Sequence, residues 1–120
     1  MSGPSALFIG WGQPTRGREQ AALDVFNDSV TYYGARLEDG TITSFEPVIL
    51  DPHGGGLNGF FLVKGEPDKL VAMRATEEFQ RLNVRATLIV DELGVIAAHA
   101  GDAVLTQLGY FTDAAAERAS

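Results

Sequence analysis

Apolar residues follow two kinds of pattern along this chain, one typical of strands and one typical of helices. Residues 41–50 and 60–64 are rich in β-branched and aromatic residues, and the Pro- and Gly-dense segment between them predicts a hairpin with a long loop. A continuous apolar run at 6–11 predicts a strand buried on both faces. A shorter run at 95–100 predicts a fourth strand.

The spacing of apolar residues after the first strand predicts an amphipathic helix. One stripe of this helix carries Ala22, Phe26, Val30, Tyr33 and Leu37. Thr15 follows a break at 12–14, so we expect it to cap the helix by accepting from a free amide of the first turn.

Two helix starts follow the hairpin. Pro67 suits the first turn of one helix, where its missing amide would lack a partner anyway. Thr76, which two glutamates follow, suits the start of the next helix. Apolar residues then recur at helical spacing, although 84–90 also alternates as a strand does. We predict helix over 84–90.

A last helix is predicted to begin at Gly101 and Asp102. Its inward side is expected to carry Val104, Leu108 and Phe111. We expect the alanine-rich end beyond Asp113 to fray. The chain is therefore predicted to be one domain over 1–120, with an ordered core over about 5–113.

The order of these elements is strand, helix, strand, strand, helix, strand and an extra C-terminal helix. This order predicts an α+β, ferredoxin-like βαββαβ fold, with an antiparallel four-stranded sheet and helices on one face. Alternation places Phe45 towards the helices, and Glu46 and Val48 on the other face. Pro47 cannot donate a ladder hydrogen bond, so it marks either an edge strand or a bulge. Since a large bare apolar face usually marks an interface, we predict a homodimer packed sheet to sheet.

Composition and charge exclude several classes of protein. A hydrophobic fraction of 45% suits a folded globular domain. The formal charge of -7 and the scatter of the nine Lys and Arg residues argue against nucleic acid as a partner. No apolar segment approaches the roughly 20 residues of a membrane helix. The absence of cysteine excludes disulfides and fits a reducing compartment, so we predict a cytoplasmic protein with no membrane partner.

Three segments of the chain are markers of a known fold family: 44–50, 54–61, and 94–96 followed by Gly101. With these segments the chain resembles, over nearly its whole length, the dimeric α/β-barrel proteins of ferredoxin-like fold, most closely an uncharacterised bacterial group. The relatives of that fold include cofactor-free monooxygenases, haem-handling enzymes, cyclases and muconolactone isomerases. The resemblance implies a dimer with a pocket between sheet and helices, and it transfers no catalytic motif.

His53 is the strongest candidate for a catalytic residue. Asp51 lies two positions before it, and a neighbouring carboxylate can hold an imidazole for proton transfer. The alternative is a solvated histidine at a turn. His99, near the end of the last strand, is a candidate for ligand binding or for a hydrogen bond in the core.

Four further residues are candidates for ligand binding: Trp11, Tyr33, Glu46 and Asn58. Trp11 and Tyr33 would supply an aromatic wall with polar groups, and their alternative role is ordinary packing. Glu46 belongs either to a pocket or to an exposed strand edge, where charge discourages aggregation. Asn58 would be a polar fixture of the same pocket.

We predict no metal site and no cofactor. A transition-metal site generally needs three or four ligands, and two histidines do not supply them, although haem ligation by either stays open. The segment 54–59 formally matches G-x-G-x-x-G. It leads into a strand rather than a helix, so we interpret it as a hairpin tip.

Three hypotheses for function remain. The first is a small dimeric protein that binds an apolar or aromatic molecule between sheet and helices. The second is an enzyme that uses the same pocket, such as a cofactor-free or haem-dependent monooxygenase, an isomerase or a cyclase, with His53 as acid or base. The third is a structural or partner-binding module without a ligand.

Overall fold

The computed structural model describes residues 3–119, which form four strands and four helices. In chain order these are β1 (Ala6–Trp11), α1 (Glu19–Glu38), β2 (Ser44–Ile49), β3 (Gly59–Lys64), α2 (Pro67–Arg74), α3 (Glu77–Thr87), β4 (Gly94–Ala98) and α4 (Asp102–Ala119). The predicted βαββαβ order with an extra C-terminal helix is confirmed, and α2 and α3 together fill the second helical position.

The strands form one antiparallel sheet in the order β2-β3-β1-β4. β1 and β3 are central, as their continuous apolar runs predict. β2 is an edge strand, one of the two alternatives that Pro47 predicts, because proline cannot donate a ladder hydrogen bond. Pro47 lies opposite Phe61 in the register.

The core lies between one face of the sheet and helices α1, α2 and α3. Alternate positions of β1 and β3 supply its sheet side, namely Leu7, Ile9, Phe61 and Val63. The helices supply Val25, Tyr32, Tyr33, Leu70, Met73, Phe79 and Leu82. Each large apolar side chain buried here contributes about 1.5–3 kcal/mol relative to an exposed one. Phe45 of β2 stacks on Tyr33 at 5.1 Å between ring centroids, so the side predicted to meet the helices does so.

The helix starts confirm one predicted cap and contradict another. The Thr76 hydroxyl accepts from the Phe79 amide at 3.3 Å at the start of α3. Thr15 does not cap α1, because this helix begins at Glu19 and its N-cap position makes no side-chain hydrogen bond. The Thr15 amide instead donates to the Ile89 carbonyl at 2.8 Å, which ties the approach to α1 to the end of α3.

The segment 84–90 is helical only in its first part. α3 ends at Thr87, and the next residues turn away from the helix. Val90 then forms an isolated antiparallel bridge with Pro14. The helix prediction is therefore confirmed to 87 and wrong for the last three residues, because pairing with another part of the chain competes with helix there.

The position of α4 differs from the prediction. Leu108 and Phe111 are 55% and 75% exposed, and Val104 is also exposed, so the inward orientation is wrong. The reason is that α4 packs against no other helix or strand of residues 3–119. The helix also continues to Ala119, past Asp113, where we expected it to fray.

Candidate functional site

An open cavity lies between the sheet and helices α1 and α3. Its volume is about 440 Å³, and its walls also include part of the segment that leads from α3 to β4. Leu23 and Ile49 belong to the lining, and they are 52% and 67% exposed. The cavity is therefore open to solvent at its β2 side.

Four aromatic side chains form one wall of the cavity. Trp11 and Phe61 lie 4.8 Å apart between ring centroids, and Phe26 approaches Trp11 edge-on at 5.9 Å. Tyr33 contacts Phe61 at 5.7 Å in an edge-to-face arrangement. Such offset and edge-on contacts are the favourable geometries for aromatic rings. They hold this wall in one arrangement, and all four side chains line the cavity.

Small residues leave the room that the cavity occupies. Ala22 of α1 and Ala86 of α3 line it at positions where a larger side chain would fill it. Gly59 lies opposite Trp11 in the register, and a Cβ at 59 would be 2.7 Å from Cζ2 of the indole. Because carbon atoms pack at about 3.5–4.0 Å, only glycine allows the Trp11 ring to lie over the strand.

The polar groups of the lining are few, and the buried ones are bonded within the protein. The Ser29 hydroxyl donates to the Val25 carbonyl at 2.7 Å. The Asn83 side-chain amide donates to the Phe79 carbonyl at 2.9 Å. Glu19 also lines the cavity and is exposed. The surface offered to a ligand is therefore mainly apolar, with a negative charge towards the solvent.

Tyr33 is the most deeply buried ionisable group of the lining, with 1% of its surface exposed. Burial raises the pKa of its phenol, and Tyr32 raises it further, whereas a hydrogen bond with the Asn83 side chain lowers it. The phenol is thus neutral at physiological pH. Its buried hydroxyl and the Asn83 amide form a polar pair beside the aromatic wall.

Of the six residues predicted for a site, Trp11 and Tyr33 line the cavity and the other four lie elsewhere. Glu46 is exposed on the opposite face of the sheet. Asn58 closes the β2–β3 loop, where its amide donates to the Trp11 carbonyl at 2.8 Å and its carbonyl accepts from the Leu50 amide at 3.0 Å. Asn58 therefore positions the end of β1 through its backbone.

The two histidines lie at opposite ends of the sheet. β4, which precedes His99, ends beside the start of β1, whereas the loop that holds His53 lies beside the end of β1. The length of β1 at about 3.3 Å per residue separates them, so the structure does not bring them together. Residues 3–119 contain no group of three or more His, Cys, Asp or Glu residues that could hold a metal ion.

His53 is bonded within its own loop. Its Nε2 is 2.7 Å from the Leu57 carbonyl oxygen, and the Gly55 amide donates to Nδ1 at 3.2 Å. Both contacts are satisfied when the ring carries its proton on Nε2. A Cβ on Gly55 would be 2.7 Å from Cε1 of the ring, so this close approach requires glycine. His53 thus shapes the loop, and its catalytic role stays a prediction.

A second apolar surface is the sheet face that points away from the helices, called the open face below. Phe8 and Phe60 stack on it at 4.8 Å between ring centroids. Ile96 is 54% exposed there, and Val48 and Leu62 are half-buried. Among residues 3–119, no helix covers this face, as predicted.

A solved structure shares this architecture. It is that of a dimeric protein of unknown function and ferredoxin-like fold from Bacteroides fragilis, with a TM-score of 0.54 and 12% sequence identity, covering 76% of this chain and 91% of that one. This chain has a ferredoxin-like fold. At such low identity the likeness concerns the fold alone, and at that level it confirms the resemblance to uncharacterised bacterial proteins. No family model and no curated protein matches the sequence.

Two residues of the aromatic wall of the cavity, Phe26 and Phe61, were not among the site residues predicted from the sequence. Phe61 shares the helix-facing side of the sheet with Ile9 and Trp11, and Phe26 lies on the predicted stripe of α1. Both residues could have been predicted from the sequence, because strand alternation and helix periodicity place both rings in the layer between the sheet and the helices. Among the helices of residues 3–119, none combines the length and hydropathy that crossing a membrane requires.

Proposed function

We propose that the protein is a homodimer that binds an apolar or aromatic small molecule in the cavity between its sheet and its helices. The observation that carries this proposal is the wall of four aromatic rings beside an open cavity of about 440 Å³. Small-molecule sites are typically clefts of about 300–1,000 Å³ with mostly apolar walls and a few polar groups. The cavity has that size and that chemistry.

The lining supports a ligand that is largely apolar and carries no negative charge. The buried polar atoms of Ser29 and Asn83 already have partners in the protein, so they offer little to a strongly polar molecule. The exposed carboxylate of Glu19 would repel an anion at the opening. A flat ring system is favoured because it can lie against the faces of Trp11 and Phe61.

The open face supports the homodimeric part of the proposal. Phe8, Phe60 and Ile96 leave on it an apolar surface that extends across the central strands and β4. Exposed apolar patches of this kind mark interfaces. The similar structure from Bacteroides fragilis is described as dimeric, which agrees with a second copy as the partner.

Binding is proposed in preference to catalysis because of the position of His53. This residue lies outside the cavity lining, and both of its ring nitrogens are bonded inside the hairpin loop. A general base has to reach the proton that it removes, directly or through one water. The cavity as built favours holding a molecule.

Fluorescence of Trp11 tests the proposal, because Trp11 is the one tryptophan of the sequence and lines the cavity. We expect neutral bicyclic probes such as naphthalene and indole derivatives to change this fluorescence saturably and to raise the melting temperature. Ala22→Leu fills part of the cavity and should abolish both effects. Ala35→Leu, on the exposed side of the same helix, is the matched control and should leave them intact. Binding that survives Ala22→Leu, or the absence of any saturable probe, would contradict the proposal.

A further inference from the structure

α4 carries an apolar stripe that no other helix or strand of residues 3–119 covers. At helical spacing one side of α4 presents Val104, Leu108, Phe111 and Ala115, and the opposite side presents Asp102, Thr106, Asp113 and Glu117. Within the described part of the chain, no helix or strand packs on α4. In proteins, an amphipathic helix gains most of its stability from packing its apolar side rather than from helix propensity. We therefore expect the stripe to pack against a partner surface.

The shape of the chain shows that α4 reaches away from the domain. The radius of gyration is 16.5 Å and the longest dimension is 56 Å. A compact chain of this length would have a radius of gyration of about 13.6 Å. The larger radius of gyration is that of a domain from which one helix protrudes.

α4 leaves the sheet beside the open face. β4 is the edge strand that precedes it, and Ala98 at the end of β4 pairs with Ala6. The Ser5 hydroxyl donates to the Ala100 carbonyl at 3.5 Å and accepts from the Ala100 amide at 3.3 Å, so the root of α4 is held against the start of β1. The Gly65 amide donates to the Ser5 carbonyl at 3.0 Å, which ties the same point to β3. Because Ile96 and Ala98 of β4 lie on the open face, α4 starts at an edge of that face, and a partner on the open face can reach α4 as well.

The area needed for a stable interface favours a partner that covers both surfaces. Four strands at about 4.8 Å spacing and about five residues in length give the open face only about 320 Å². Stable interfaces bury about 800 Å² per partner. α4 is about 27 Å long at 1.5 Å per residue. At a width of about 10 Å its stripe covers about 270 Å². If each copy gives one arm and receives one, this strip counts twice and brings the interface to about 860 Å² per copy, close to the usual size.

Charge on the open face favours a second copy over a strongly acidic or basic partner. Among the strand residues on this face, Glu46 and Lys64 are the charged ones, one of each sign. A two-fold interface brings the same surface of both copies together, so a surface with balanced charges can be complementary to itself. The chain as a whole carries a charge of -7, but the centre of the open face is apolar. Most of the negative charge therefore lies outside the proposed contact.

We infer that α4 is an exchanged arm, which packs its apolar stripe on a second copy of this chain beside the paired open faces. Each copy gives one arm and receives one. The inference rests on the homodimer proposed above and adds the element that completes its interface.

Sedimentation of two double variants with equal charge tests the role of the stripe. Leu108→Glu with Phe111→Glu places two charges on the stripe, and it should weaken dimerisation at least about 30-fold, the effect of losing one interface hot spot. Thr106→Glu with Tyr110→Glu places two charges on the opposite side of α4 and should leave the dimer nearly unchanged. Equal weakening by both variants, or by neither, would overturn the inference.

Hydrogen exchange of the unaltered protein tests the same contact without a substitution. Amides of α4 should be protected at concentrations where the chain is dimeric and should lose that protection as dilution produces monomers. Protection that persists in the monomer would mean that α4 packs on its own chain, and unprotected amides in the dimer would mean that it packs on nothing. Either result overturns the arm and leaves the homodimer standing. A chain that is monomeric at every concentration would instead refute the homodimer itself.

Discussion

The two faces of the sheet differ in how far the chain buries them. The face with Leu7, Ile9 and Phe61 is covered by α1, α2 and α3 and reaches a few per cent exposure. The opposite face, with Phe8 and Phe60, has similar side chains, and no helix of the described residues covers it. Neighbouring residues such as Phe60 and Phe61 therefore have the same chemistry in different surroundings. What an apolar strand residue contributes depends on which layer covers it. Here the chain supplies one layer, and in the homodimer proposed above a second copy would supply the other.

Truncation of Phe61 should give the largest effect on folding. Phe61 is 4% exposed and contacts Trp11, Tyr33 and Phe45. Phe61→Ala should lower the free energy of unfolding by about 3–5 kcal/mol in urea titrations. Phe60→Ala, one residue away on the open face, is the control and should cost the monomer much less. Equal losses would mean that the two faces do not differ in the way described.

A charge on the open face should act on association rather than on folding. Leu62→Asp buries a carboxylate in the proposed dimer interface and should weaken dimerisation at least about 100-fold, because an unpaired buried charge costs several kcal/mol. Sedimentation over a concentration series measures this. Ala72→Asp adds the same charge on exposed α2 and should leave the dimer intact. A dimer that tolerates Leu62→Asp would contradict the assignment of this face.

The covered face should also respond to pH through Tyr33. Burial raises the pKa of this phenol in the folded state above its ordinary value of 10.0. Its contribution to stability is therefore complete below pH 10 and is lost as the pH rises towards the folded-state pKa, since the unfolded chain ionises first. Tyr33→Phe should cost about 1 kcal/mol at neutral pH, where a buried hydrogen bond is lost. The variant should also lose less stability than the parent between pH 10 and 11.5, and identical alkaline profiles would disprove this role.

The caps of the covering helices should give the smallest effect. Thr76→Ala removes the hydroxyl that accepts from the Phe79 amide and should cost about 1 kcal/mol in thermal or urea unfolding. Thr15→Ala is the matched control, because the N-cap position of α1 makes no side-chain hydrogen bond, and it should change stability by less than about 0.5 kcal/mol. A larger loss for Thr15→Ala than for Thr76→Ala would reverse this assignment.

Local patterns in the sequence were enough to predict the strands, their order and the two faces. Pro47 indicated an edge strand or a bulge, of which the structure shows the edge strand, and alternation placed Phe45 and Glu46 on the correct sides. The failures concern long-range contacts. The stripe of α4 looks the same whether the helix folds back or projects, and the bridge of Val90 to Pro14 depends on a segment more than seventy residues away.

The candidate site was predictable only in part, for a similar reason. Trp11 and Tyr33 were found because aromatic residues at strand ends and on helix stripes point inward. The cavity itself depends on Ala22 and Ala86, two small side chains on different helices, and no local pattern marks a space that neither helix fills alone. His53 was predicted because Asp51 lies two positions before it, whereas its contacts with Gly55 and Leu57 depend on the path of the loop.

Pro47 also limits how copies of this protein can assemble. Because its nitrogen carries no hydrogen, Pro47 and Phe61 must form a pair that exchanges no ladder bonds, and the nitrogen points to the outer rim of β2. An incoming strand would find a donor missing in the middle of that rim. Edge-to-edge growth into an extended ribbon is thereby interrupted on this side, which leaves the broad faces as the surfaces for the proposed dimer.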